Sequence, residues 1–288
     1  MYKIFQWIAR YYYKFNNIDL FVFIFGLCMI TNILAITIIE WQQVAKKTIV
    51  EFDNIKKILA SANLEDKAQI HLNAIYPNAT KLFWGGSTYW FTFMSNVFLT
   101  ITFVTFPFYK DSKKGQHFFF ASVVYITITF IVYWLSIIID TSEFTNMSKF
   151  SKIKSLIFHL ITPFVGIFCL ILYRNSIIIE NSKIWILSVF PFFYYLFNLA
   201  VYFIGYDFVV QYGGSELDRG VVIYKLISFY HPFGYRGNNV FILITFNVIL
   251  FLNSVLTAPI IGFLYRQLFN IKINHNINYP KLIFKRKK

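Results

Sequence analysis

The sequence predicts an all-α, polytopic membrane protein, a bundle of six transmembrane helices, on three observations. Of its 288 residues 57% are apolar and only 14% are charged, too few polar groups to clothe a soluble domain of that length. The apolar residues gather into six runs of roughly 20 or more, the length a helix needs to cross about 30 Å of hydrocarbon. No run alternates with the two-residue period of a barrel strand, and backbone groups in lipid must pair within their own segment, so each run reads as a helix.

Residues 1–18 mix Tyr2, Phe5, Trp7 and Tyr11 with Lys3, Arg10 and Lys14, as a helix lying in the headgroup layer does. The first span, 19–41, is too long for the apolar region of a signal peptide and no small-residue cleavage site follows it, so it is kept as a true span. Between 42 and 85, Phe52, Ile55, Leu59 and Ala62, then Ile70, Ala74 and Tyr76, recur among charges and predict two short amphipathic helices on the outer surface. Further spans are expected at 86–109, 116–139, 156–173, 184–205 and 240–264, so that the membrane domain covers 19–268. A second outer loop, 206–239, holds Gly213 and Gly214 and then an aromatic run from Phe229 to Tyr235 around His231, suited to an interfacial belt, a lid or a re-entrant segment. The last stretch, 269–288, is a basic tail set against anionic lipid on the cytoplasmic face.

Orientation follows from the basic residues of the short loops. With the amino terminus inside, the inner segments hold 15 Lys and Arg and three acids, against 12 and 10 outside. Both termini are therefore expected to be cytoplasmic, in a multi-pass protein of the cell membrane. The net charge of +14 is spread through loops and tail instead of gathered on one folded face, which argues for membrane lipids and against nucleic acid as the partner. Neither a phosphate-binding loop nor a dinucleotide fingerprint is present. Cys28 and Cys169 fall inside spans and read as packing residues, not as a disulfide or a metal pair.

Polar groups at membrane depth carry the functional information, because they are costly in lipid unless they pair or serve a site. Thr88, Thr92, Ser95 and Asn96 share one face of the second span, and His159, Thr162, Pro163 and Gly166 share one face of the fourth. Pro191, Tyr194, Tyr195, Asn198 and Tyr202 mark the fifth span, and Asn247, Asn253 and Pro259 the sixth. A Thr in such a helix ordinarily bonds back to its own carbonyl ladder and an Asn ties helices together. An ionisable His at depth is a stronger functional candidate. Spans 2 and 4 run in the same direction, and Thr92 and His159 each lie near the outer end, so the bundle can bring them together as nucleophile and base.

These residues also carry a resemblance. The run Tyr89-Trp90-Phe91-Thr92-Phe93-Met94-Ser95-Asn96 resembles the second-span motif of the prokaryotic six-transmembrane integral membrane proteins, where Phe-Thr is followed by two residues and Ser-Asn. His159 with Pro163, Pro191 with Tyr194, and the Tyr230-His231-Pro232-Phe233 run are similar to that family's later motifs, in the same order. That family is distantly similar to the eukaryotic androgen-induced and androgen-dependent membrane proteins, threonine hydrolases of fatty-acid esters of hydroxy fatty acids. Their Trp-x-x-Thr-Phe context matches Trp90 to Phe93 with a one-residue shift, and Pro163 follows His159 by four residues where their Pro follows by five.

The resemblance implies an intramembrane hydrolase of lipid-like esters. Thr92 would be the nucleophile and His159 the base that takes its proton. Ser95 or Asn96 would donate to the oxyanion, with Tyr194 or Asn198 orienting His159 and His231 in support. The substrate would be an amphiphilic ester entering from the outer leaflet, with no metal or cofactor. Two other readings stand beside this one: a non-catalytic bundle, either a small-solute transporter or a structural partner protein, and a lipid acyltransferase with an alcohol replacing water. Transport is disfavoured by the missing inverted repeat.

Overall fold

The computed structural model describes residues 14–61, 87–139, 141–217, 219–224 and 227–273. The six apolar runs form six helices long and apolar enough to cross a membrane. They are α1 (Asn17–Ser61), α2 (Phe91–Tyr109), α3 (Lys113–Ile139), α4 (Lys149–Tyr173), α5 (Asn181–Tyr212) and α6 (Val240–Leu268). Among the described residues there is no strand, only an isolated bridge between Ile178 and Lys272. Most of the expected basic tail, 274–288, lies outside the described residues, as do 1–13 of the expected headgroup segment.

Two polar staples fix how the first helices run. At the start of α1 the fully buried Asp19 accepts Lys110 from the end of α2 and the Tyr173 hydroxyl, at 2.6 Å, from the end of α4. Further along α1, Glu40 accepts Lys154 near the start of α4 at 2.9 Å and Ser87, just ahead of α2, at 2.7 Å. Helices α2 and α4 are therefore parallel, and α1 is antiparallel to both. Asp19 and Glu40 are 21 residues apart, a rise of about 32 Å at 1.5 Å per residue, close to the thickness of the hydrocarbon layer.

Beyond Glu40 the structure departs from expectation. Residues 42–61 do not form a separate surface helix; they continue α1 without a break. The stretch has no Gly or Pro to stop propagation, and Lys47 and Glu51 pair one turn apart at 3.8 Å. An amphipathic pattern cannot by itself distinguish a helix that turns from one that runs on. The second amphipathic helix expected before residue 85 lies outside the described residues. The loop after α5 begins on Gly213, whose φ of 65° closes the helix.

The core is aromatic and centres on α2 and α3. Phe106 stacks on Phe119 with centroids 4.2 Å apart, and Tyr173 meets Phe106 edge-on at 4.9 Å. Small residues set the spacing of the helices. A Cβ on Gly26 would lie 3.0 Å from the Val104 backbone nitrogen, so α1 and α2 touch backbone to side chain there. Helix α2 is the most enclosed of the six and α6 the least, which leaves the amino end of α2 inside the bundle.

Candidate active site

Thr92 is the second residue of α2, with Trp90 as N-cap. The first amide of that helix, on Phe91, donates to the Tyr194 hydroxyl of α5 at 3.0 Å. One residue later the Thr92 hydroxyl lies 3.2 Å from Nε2 of His159, and both side chains are more than nine-tenths buried. The amino end of a helix carries partial positive charge, which favours negative charge developing on an oxygen placed there.

His159 is held in a single protonation pattern by its own helix. Its Nδ1 lies 3.0 Å from the carbonyl oxygen of Ser155. A carbonyl can only accept, so Nδ1 carries the proton and the neutral ring presents its lone pair at Nε2. Thr92 therefore donates to His159. The imidazole also stacks on the Tyr133 ring, 3.7 Å between centroids and 16° between planes. The orienting group expected from Tyr194 or Asn198 is thus the Ser155 carbonyl, one turn before His159. Asn198 instead donates to the carbonyl of Tyr194 at 2.7 Å.

The backbone around His159 is unusual for a physical reason. Residues Ile157–Ile161 form a π turn, and Pro163 comes two residues after its end. Proline has no N–H, so the π register lacks a donor for the Phe158 carbonyl and the α register lacks one for that of His159. Side chains from neighbouring helices serve those two oxygens. Asn96 Nδ2 reaches Phe158 at 3.4 Å, and Trp134 Nε1 donates to His159 at 3.0 Å. Thr162 closes the turn by donating its hydroxyl to Ile157 at 2.8 Å.

Ser95 and Asn96 are close to Thr92 but turn away from its hydroxyl. Both donate to the Thr92 carbonyl, at 3.0 and 2.8 Å, and Ser95 also shares a 2.8 Å hydrogen bond with Thr129 of α3. As folded they tie α2 to α3 and α4 and do not form the oxyanion donors expected from sequence. His231 stands apart from the pair, in the loop after α5, where its Nδ1 lies 3.0 Å from Glu216. Glu216 also accepts from the Tyr202 hydroxyl at 2.7 Å.

The same loop supplies a residue that sequence reasoning missed. Tyr224 brings its hydroxyl against the side chain and backbone of Thr92, the backbone of Phe91 and the Tyr194 hydroxyl, and burial, only partly offset by those hydrogen bonds, pushes its phenol up. Nothing in the sequence distinguishes it from the 19 other tyrosines. Ser155, by contrast, was discoverable, being the residue four before a helical His.

A groove of about 440 Å³ between α5 and α6, lined by Tyr195, Tyr230, Asn247 and Phe251 among others, includes neither Thr92 nor His159. Among the described residues no group of three or more His, Cys, Asp or Glu is placed to hold a metal. Compared with known protein families, characterised proteins and solved structures, the chain matches none.

Proposed function

We propose that this chain is an intramembrane hydrolase of lipid-like esters with Thr92 as nucleophile and His159 as general base. The observation that carries the reading is the 3.2 Å contact between the Thr92 hydroxyl and His159 Nε2, with the opposite ring nitrogen committed to the Ser155 carbonyl. A hydroxyl, a base facing it and a third group fixing that base are the parts nucleophilic acyl transfer needs.

In the reaction Thr92 Oγ1 adds to the ester carbonyl carbon as His159 Nε2 takes its proton. The leaving alcohol departs with that proton, and a threonyl ester remains. Water then attacks the threonyl ester, giving up a proton to His159, and the acid is released as Thr92 recovers its hydrogen. Burial of the pair excludes bulk water, so interactions with developing charge are strong there. With both termini on the inner face, as the Lys and Arg distribution supports, the site lies toward the outer leaflet, from which an amphiphilic ester enters.

The test is to incubate detergent-solubilised protein with a fluorophosphonate or a long-chain fluorogenic ester, comparing wild type with Thr92→Ala and His159→Ala. Labelling or turnover present in wild type and lost in both variants is the expected result. A folded wild type that neither labels nor turns over ester overturns the reading. It would favour the second one, a non-catalytic bundle, for which the observation is that the same contacts staple α2 to α4. Adding a long-chain alcohol separates hydrolysis from acyl transfer, because a transferase diverts product from acid to new ester.

A further inference from the structure

The hydrolase reading leaves the developing oxyanion without a partner, since Ser95 and Asn96 turn to the Thr92 carbonyl. Two other groups at the amino end of α2 have no part in the Thr92–His159 contact. Trp90 presents a buried indole Nε1 with no acceptor among the described residues. Its ring lies 6.2 Å from that of Tyr224, whose hydroxyl is against Thr92. Both Tyr194 and Tyr224 meet the Phe91 amide, but only Tyr224 also reaches the Thr92 side chain, which makes it the phenol facing the nucleophile.

Resting on that reading for its chemistry, we infer that the Trp90 indole N–H and the Tyr224 hydroxyl form the seat for the acyl oxygen of the substrate. The carbonyl oxygen takes the place of the direct contact between Tyr224 and Thr92. As Thr92 Oγ1 bonds to the carbonyl carbon and passes its proton to His159, the C=O electron pair moves onto the oxygen between the two donors. On collapse the C=O re-forms, the bond to the alcohol oxygen breaks, and that oxygen takes the proton from His159.

Both donors are neutral. Lys154, five residues before His159, is held by Glu40 at 2.9 Å. A seat of an indole and a phenol suits an uncharged carbonyl, whereas a phosphoester is ordinarily met by Arg, Lys or a metal. The substrate class is accordingly a carboxylic ester and not a phospholipid phosphodiester.

The seat can be read without turnover. A long-chain methyl ketone labelled with carbon-13 at the carbonyl is added to the full-length Thr92→Val protein in detergent, where no acyl chemistry is possible. The expected result is a bound carbonyl resonance downfield of the ketone in protein-free micelles, with the shift reduced by Trp90→Phe and by Tyr224→Phe. No bound resonance, one at the micelle position, or one unmoved by either replacement overturns the seat. On the Thr92 background each Phe variant is expected to lower kcat for ester about 100-fold with KM little changed. A shifted ketone with no esterase in wild type rejects the hydrolase and keeps the seat; esterase with an unshifted ketone does the reverse.

Discussion

Trp134 donates its indole N–H to the carbonyl of His159 at 3.0 Å, and Pro163 has no N–H with which an α register would serve that oxygen. The catalytic candidate, the π turn and the proline are thus one construction. Pro163 keeps Ile157–Ile161 wide, and the extra residue sets the direction in which His159 points. Restoring the α register would turn the preceding residues by about 100°.

Replacing Pro163 with Ala should therefore separate stability from activity. The N–H regained favours the helix, by up to about 3 kcal/mol on interior propensities, so thermal unfolding in detergent should hold or rise. The turn of His159 away from Thr92 should abolish fluorophosphonate labelling. Unchanged labelling would mean that the π turn does not set the direction of the ring.

Thr92→Val keeps the shape of the side chain and removes only the hydroxyl. It leaves Nε2 of a buried imidazole without a donor, at a cost of about 1–3 kcal/mol. Thermal unfolding should show that loss while labelling disappears. Thr92→Ser retains the hydroxyl and should keep both the stability and the label.

The parts legible in the sequence were those that lipid enforces. Apolar runs long enough to cross hydrocarbon read as helices, so the six long apolar helices are legible, and so is the meeting of Thr92 and His159 from two parallel helices. What stayed hidden depends on tertiary partners. The π turn exists because Asn96 and Trp134 serve oxygens left over near Pro163, and neither donor is local. Tyr224 reaches Thr92 from a loop more than 130 residues later. Ser95 and Asn96 misled because a shared helical face says nothing about direction: both side chains found the Thr92 carbonyl three or four residues back. Residues 42–61 misled because an amphipathic pattern reads the same in a surface helix and in a long extension of a span.

The Asp19 staple predicts a non-additive pair. Asp19 is fully buried and bound by Lys110, Tyr173 and the Asn16 amide. Lys110→Met leaves the carboxylate without its counter-charge and should cost about 3–5 kcal/mol. Adding Asp19→Asn removes the buried charge and should recover part of that loss. A double-mutant cycle by thermal unfolding in detergent measures the coupling, and strictly additive effects would show the pair to be independent.

Glu216 predicts how the loop that carries Tyr224 responds to acid. Burial, the largest influence, pushes its carboxyl up, but hydrogen bonds from His231, Tyr202 and Ser228, with the charge of His231, outweigh it and hold the group below the ordinary carboxylate range. A carboxyl whose folded pKa is depressed stabilises the fold above its unfolded value, about 4.3, and that contribution is lost as pH falls through the folded value. The anchor of Glu216 on Tyr202 should thus hold at neutral pH and weaken only below about pH 4.3. A dye on Leu217→Cys, with the exposed Cys28 replaced by Ser, reports this as a fall in fluorescence anisotropy on acidification. With Glu216→Gln the anisotropy should be low already at neutral pH and flat across the same range. A wild-type profile that is equally flat would show that the loop is held by other contacts, the Tyr224 contact with Thr92 foremost among them.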